Sequence, residues 1–224
     1  MKGRVAALLA RVLWALCVAL VALAVLLILN TPPVPARRGP NLDVLAGIAF
    51  LIYPTMGAFV ASRRARNAVG WVLCGMGLVF ALHAFAGAYA DYALVARGGS
   101  PPGGVIMLWT TTGWVLLPGV LLGVVLVLLF PDGRLPARAL WIVVWMAIFG
   151  AALSALAFAT SPGAMNNYEF VHNPFGLGKG VYEDLVWPAG AIGLVVLLIS
   201  WVASVISLHL RLDGARGAER EQIQ

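Results

Sequence analysis

The residues that could carry chemistry are few, and they stand close to the ends of long apolar runs. His83 lies inside one such run, Asp91 closes the same run, and Asp43 opens the run before it. An imidazole can change its charge near neutral pH, and carboxylates beside apolar segments can contact a cation or a polar ligand. These three side chains are therefore candidates for ligand contact or pH sensing. The alternative is a neutral histidine that is hydrogen-bonded to a neighbouring helix.

The longest polar stretch, residues 161–185, mixes aromatic side chains with carboxylates. Its candidate contact residues are Tyr168, Glu169 and His172, and Phe170, Phe175 and Tyr182 surround them. Such a loop could form a small-molecule or cation pocket together with Asp43, Asp91 and His83. The alternative is an interfacial loop whose aromatic rings rest on lipid headgroups.

No catalytic signature appears in a usable context. We find no Gly-rich phosphate loop, HExxH helix or nucleophile elbow, and no polar segment longer than about 25 residues that could hold a catalytic domain. Cys17 and Cys74 fall inside apolar runs without metal-binding spacing, so both are expected to be small buried side chains. A haem held by His83 and His209 is disfavoured, because His83 falls in the outer half of the third span and His209 at the inner end of the sixth, near opposite faces of the membrane. We therefore expect no enzyme activity, no cofactor and no metal.

The composition excludes an ordinary soluble domain. Of the 224 residues, 62% are hydrophobic and only 11% are charged, and the mean hydropathy is +0.94. The net charge of +6 could suggest nucleic acid, but the arginines cluster at the ends of apolar runs. That placement is typical of membrane topology determinants, so the expected partner is the lipid bilayer and not nucleic acid.

Six runs are long enough to cross a bilayer as helices. The predicted fold is therefore an all-α membrane protein, a six-helix bundle. A signal peptide is the competing interpretation of the first run, but its apolar core of 18 residues is long for one and favours a retained span. Pro54 should kink the second span, and Pro118 should free the Trp114 carbonyl in the fourth, where nearby threonine hydroxyls could compensate. The spans cover about 12–29, 41–62, 68–90, 105–130, 139–160 and 186–210, and a polar tail covers 211–224.

The distribution of basic residues predicts the orientation. With six spans and the amino terminus inside, the inner segments carry eleven Lys and Arg residues and the outer segments carry four. This positive-inside bias predicts a multi-pass membrane protein with both termini in the cytoplasm. The loop 161–185 then faces outward. The cytoplasmic turns carry the candidate relay residues Asp132, Gly133 and Arg134 and, between the second and third spans, Arg63, Arg64 and Arg66.

Four short motifs in this chain resemble, in the same order, segments of the multi-span membrane regions of actinobacterial-type sensor histidine kinases. They are RRARNAVGWVLC at 63–74, LFPDGRLP at 129–136, NPFG at 173–176 and RGAEREQI at 216–223. Their counterparts read RRPxNPIGWLL, LFPDGRLP, NPxG and RGxERQQ. The chain departs from that pattern at Ala68, where the family has proline, and it contains no phospho-accepting histidine region and no ATP-binding domain.

The resemblance implies a non-catalytic sensory or signalling module in a bacterial plasma membrane, of the kind that serves a two-component system. Its partner would be a histidine kinase, another membrane protein or a second copy of the chain. In this hypothesis Pro54 and Pro118 act as flexible points, and the tail 211–224 acts as the output connector. Two alternatives remain open. One is a small transporter or channel, and the other is a structural subunit of a larger membrane complex.

Overall fold

The computed structural model describes residues 2–32, 42–99, 101–130, 133–135, 138–165 and 168–221. Side chains are described for these residues except Lys2, Asp43 and 213–221. The elements of this part of the chain are α1 (Lys2–Leu29), α2 (Leu42–Phe50), α3 (Ile52–Arg63), α4 (Ala68–Asp91), α5 (Gly104–Thr110), α6 (Leu117–Leu129), α7 (Trp141–Ala159), β1 (Ala164–Met165), β2 (Tyr168–His172), α8 (Lys179–Val181) and α9 (Trp187–Glu221).

Within the described ranges, five helical segments are long and apolar enough to cross a membrane. They are Gly3–Leu29, Val44–Arg63, Ala68–Ala96, Arg138–Ala159 and Lys179–Leu212. A sixth is obtained if α5 and the segment Trp114–Leu129, which meet at a bend of 54°, are counted as one broken span. The prediction of a helical membrane bundle is confirmed at this level.

The bend between α5 and α6 is made by a threonine run and a glycine. Gly113 has φ +101°, a backbone conformation that side chains with a Cβ rarely adopt, and the helix stops just before it. The hydroxyls of Thr110 and Thr112 donate to the carbonyls of Met107 and Trp109 at 2.7 and 2.8 Å. The threonines therefore occupy main-chain acceptors at the point where the helix ends.

The expected consequence of Pro118 was wrong. Pro118 cannot donate to the Trp114 carbonyl, but the Leu117 N–H donates to it from one residue earlier, in the 3₁₀ turn Trp114–Leu116. The tighter hydrogen-bond pattern thus satisfies the carbonyl that we expected to be free. Pro118 lies in the first turn of α6, where a missing N–H removes no helical bond.

The second span is interrupted at Leu51, between α2 and α3, in the region where Pro54 predicts a kink. Pro54 is buried, and its ring fills the space that a Cβ on Gly77 of α4 would occupy. This proline is therefore part of the packing between α3 and α4.

The helices form two groups that meet along α4. In the first group α1, α2 and α3 pack on α4, and the Trp14 Nε1–H donates to Thr55 Oγ1 at 3.0 Å, which ties α1 to α3. In the second group α6, α7 and α9 share a core that contains Val124, Leu128 and Leu197. α5 and α6 contact α4 and join the two groups.

Two features differ from the elements predicted from the sequence. Strands β1 and β2 form an antiparallel two-stranded sheet in which Ala164 pairs with His172 and Met165 pairs with Tyr168. The last helix is also longer than expected, because α9 continues through Arg211 to Glu221. The region that we treated as a separate tail is thus largely a continuation of the last helix.

Candidate functional site

The hairpin of β1 and β2 is fixed to the carboxyl end of α4 by a buried hydrogen bond. The Tyr168 hydroxyl donates to Asp91 Oδ1 at 2.6 Å, and the two residues are 2% and 3% exposed. A short bond to a buried carboxyl group is among the stronger contacts available to a neutral donor. We call this end of the bundle the hairpin end.

Apolar contacts support the same docking. Met165 and Val171 of the hairpin are buried with Tyr168 against Ala90 of α4 and Leu108 of α5. The hairpin therefore closes over the junction of these two helices, and burial of its apolar face stabilises this position.

The six predicted contact residues do not come together in one pocket. Tyr168 and Asp91 meet, but Glu169 and His172 point away from the core and are exposed. His83 is 8% exposed in α4 and lies eight residues before Asp91, which corresponds to about 12 Å along the helix axis. Asp43 belongs to α2, but its side chain lies outside the described part of the structure.

The NPFG segment caps the end of α7. The Asn173 amide donates to the carbonyls of Ala159 and Ser161 at 2.9 and 2.8 Å, while its Oδ1 accepts from the Phe175 N–H at 2.9 Å. The last carbonyls of a helix have no partner within the helix, so Asn173 supplies one from outside. An asparagine before a proline is a recognised turn signal, but the sequence does not show which helix end it serves.

A tryptophan connects this cap to the hairpin. The Trp109 Nε1–H donates to the same Ala159 carbonyl at 2.7 Å, and its ring lies 4.7 Å from the Phe175 ring, centre to centre. Trp109 also packs on the hairpin core described above. The NPFG turn, the hairpin and the carboxyl ends of α4, α5 and α7 thus form one continuous assembly.

A cavity of about 390 Å³ lies beside this assembly, between α1 and the π-helical turn Tyr92–Ala96 that follows α4. Arg97 and Tyr92 line it, and the Arg97 Nε–H donates to the Tyr92 hydroxyl at 2.9 Å. Asn30 and Leu26 of the α1 end line the other wall. None of the six predicted contact residues is among the lining residues, so the sequence did not locate this cavity.

At the other end of α4, which we call the arginine end, two of the resembling motifs are in contact. Asn67 caps α4, because its Oδ1 accepts from the Val69 N–H at 2.9 Å. Gly133, with φ +73°, packs so closely on this cap that a Cβ on Gly133 would overlap Asn67 Oδ1. The glycine of the LFPDGRLP turn is therefore required both by its φ angle and by the helix cap beside it.

Arg211 joins the same turn to the last helix. Its guanidinium donates to the carbonyls of Phe130 at 2.8 Å and Val127 at 3.1 Å, and its Nε–H donates to the Ser207 carbonyl at 3.1 Å. The first two carbonyls are at the carboxyl end of α6, where a positive charge is favoured by the helix dipole. Sequence reasoning counted Arg211 as a topology charge and as the start of the tail, and it missed this role.

The predicted relay residues that the structure describes lie around this junction, and no cluster of contacts among them would bind a ligand. Arg134 is exposed, and the Arg63 guanidinium lies 4.2 Å from the centre of the Phe59 ring. Arg64 ends α3 as its carboxyl-terminal cap, and Arg66 lies in the short connection to α4. Asp132 lies outside the described residues.

Buried hydroxyl groups, which a transport path would need, donate to main-chain carbonyls. Ser154 donates to Gly150 and Gly190 at 2.8 and 3.1 Å, Ser200 to Val196, and Ser204 to Trp201. These bonds satisfy the hydroxyls within and between α7 and α9. They favour a packing role over a polar pathway.

Comparison with protein-family models, curated proteins and solved structures gave no match to this chain.

Proposed function

We propose that this chain is a non-catalytic sensory or signalling module of a bacterial plasma membrane. It relays a change at the hairpin end to the arginine end. The observation that carries this proposal is the placement of α4. One helix, Ala68–Asp91, holds the hairpin through Asp91 at its last residue and contacts the LFPDGRLP turn through its cap, Asn67. With 24 residues it spans about 36 Å, which exceeds the thickness of a bilayer core.

The second part of the proposed route leads from the turn to α9. A shift of α4 moves Asn67 against Gly133, and the turn that contains Gly133 ends α6, whose carbonyls hold Arg211. Packed helices transmit small displacements because their contacts have little free volume. The expected output is a change in the position or helicity of α9 beyond Arg211.

The resemblance to the membrane regions of sensor histidine kinases also supports a signalling role. Two of the resembling motifs contact each other at Asn67 and Gly133, and the NPFG motif caps a helix at the hairpin end. The proposed partner is a histidine kinase or another membrane protein that contacts the segment after Leu212. The proposed orientation places both chain termini and the arginine end in the cytoplasm, because that end carries most of the basic residues.

The proposal is tested by shortening the chain after Leu212, which keeps Arg211 and its three carbonyl contacts. Full-length and shortened chains are expressed at equal levels in the native host, and the phosphorylation of membrane-bound histidine kinases is compared. We expect the shortened chain to bind the bilayer and fold normally while the phosphorylation of one kinase changes at least severalfold. An exposed-surface variant, Glu183→Gln, serves as a control for expression.

Unchanged phosphorylation in the shortened chain would contradict the proposal. Two further measurements identify the alternatives. Solute or ion flux in liposomes that contain only this chain would favour a transporter. Stable copurification of both chain lengths with one large membrane complex would favour a structural subunit.

A further inference from the structure

A groove at the arginine end of the second helix group combines mainly apolar walls with an arginine. It lies between the beginning of α7 and the end of the membrane-spanning part of α9, with a volume of about 580 Å³. Its lining is apolar except for Ser207 and Arg211, both from α9. The apolar lining includes Leu140 from the turn before α7 and Ala203, Ile206 and Leu210 from α9.

The groove lies at the boundary of the apolar segments. The span that contains α7 begins at Arg138, and the span that contains α9 ends at Leu212, so the arginines stand where a bilayer changes from hydrocarbon to headgroups. Arg138 is exposed and directly precedes Ala139, which is part of the groove lining. Hydrocarbon chains are therefore expected along the apolar walls and a negative group at the arginine rim.

Arg211 is held in place before any ligand arrives. Three of its N–H groups donate to main-chain carbonyls, so the guanidinium keeps its position at the groove end. A guanidinium has five N–H donors and stays charged at all relevant pH values. A fixed charge beside an apolar groove costs little further ordering when an anion binds.

We propose that this groove binds one anionic phospholipid, with an acyl chain along Ala203, Ile206 and Leu210 and the phosphate at Arg138 and Arg211. Basic pockets between membrane helices at the cytoplasmic side are suited to anionic headgroups. A second copy of the chain fits less well, because a two-fold contact at this groove would bring two sets of arginines together. The lipid site does not depend on the signalling role proposed above.

The test uses the full chain in detergent with phosphatidylglycerol or phosphatidylcholine added, and native mass spectrometry counts the bound lipids. We expect one phosphatidylglycerol molecule to be retained in preference to phosphatidylcholine. Arg138→Gln should lower the affinity for phosphatidylglycerol by about fivefold, as expected for the loss of one basic residue at a lipid phosphate. Arg134→Gln, which removes the same charge from the nearby exposed turn, should change the affinity by less than about twofold.

The groove itself is tested by filling it. Ala203→Trp should abolish the specific binding, whereas Val202→Trp, at an exposed neighbouring position of α9 outside the groove lining, should leave it intact. Leu210→Trp replaces Ala203→Trp if that variant does not fold. Equal losses from Arg138→Gln and Arg134→Gln, equal retention of the two lipids, or full retention in the groove-filling variants would each overturn the assignment. Dimers that dissociate on filling the groove would assign it to a second copy and would also overturn it.

Discussion

Two glycines with positive φ show separately why a position needs glycine: for its backbone conformation alone, or also for a close contact with a neighbouring element. Gly133 (φ +73°) and Gly163 (φ +94°) both adopt a backbone conformation that disfavours a Cβ. Only Gly133 also touches another element, since a Cβ there would overlap Asn67 Oδ1 and lie 3.0 Å from the Ala68 nitrogen. A Cβ on Gly163 would meet nothing within 4 Å. Comparing alanine substitutions at the two positions therefore measures how much the contact between the turn and the α4 cap contributes to stability.

We expect Gly133→Ala to destabilise the protein by about 2–4 kcal/mol, the sum of the cost of the left-handed conformation and the loss of the cap. Gly163→Ala should cost only about 1–2 kcal/mol, because the conformational term acts alone. The midpoint of thermal unfolding in detergent measures both. Equal losses for the two variants would show that the cap contact contributes nothing.

At the scale of elements, α7 and α9 approach each other closely through small residues. A Cβ on Gly150 would lie 2.6 Å from the Gly193 carbonyl oxygen and 2.9 Å from the Leu197 nitrogen. Both neighbours are main-chain atoms, which cannot move without displacing the helix. Close approach through small residues is a common means of helix association in membranes.

Gly150→Ala should therefore separate α7 from α9 and cost about 1–3 kcal/mol, as overpacking does elsewhere. Gly3→Ala, at a helical glycine where a Cβ would meet nothing within 4 Å, should be neutral or stabilising by up to about 1 kcal/mol. Detergent unfolding of the two variants checks the contrast. A Gly150→Ala protein as stable as Gly3→Ala would contradict the packing of α7 on α9.

The same elements show what the sequence could and could not predict. Long apolar runs predicted membrane-spanning helices, because the requirement for about 20 apolar residues is local. The hairpin was missed because its strands have two and five residues and its core is supplied by α4 and α5. Asn173 and Arg211 act on helix ends that lie far away in the chain, so their types alone did not assign their partners. The cap formed by Asn67 is local, but its contact with Gly133 is defined only by the fold.

At the scale of the whole molecule, the uneven distribution of basic residues predicts how the bundle is oriented in the membrane. The arginine end carries Arg134 on its exposed turn, and the hairpin end carries Glu169 on its exposed strand. Cys17 and Cys74, the two native thiols, are buried and should contribute little labelling. These positions suit a direct test of the proposed orientation.

A membrane-impermeant maleimide should label Glu169→Cys in intact cells and Arg134→Cys only after the membrane is permeabilised. The positive-inside bias predicts this order, since basic loops are retained in the cytoplasm. Labelling of Arg134→Cys in intact cells, with protection of Glu169→Cys, would reverse the proposed orientation.

Coupling between the two ends of α4 is the central claim, and one spectroscopic experiment tests it most directly. A nitroxide is attached to Arg134→Cys in a chain that carries Cys17→Ala and Cys74→Ala, and Tyr168→Phe then removes the hydroxyl that holds Asp91 at 2.6 Å. Hydrogen exchange at residues 168–172 checks that the hairpin has loosened. Asn67→Ala, which removes the α4 cap beside the turn, provides the uncoupled control.

We predict that Tyr168→Phe changes the mobility of the nitroxide at position 134, and that it causes no further change in the Asn67→Ala background. An unchanged spectrum at position 134, together with faster exchange in the hairpin, would contradict the relay through α4.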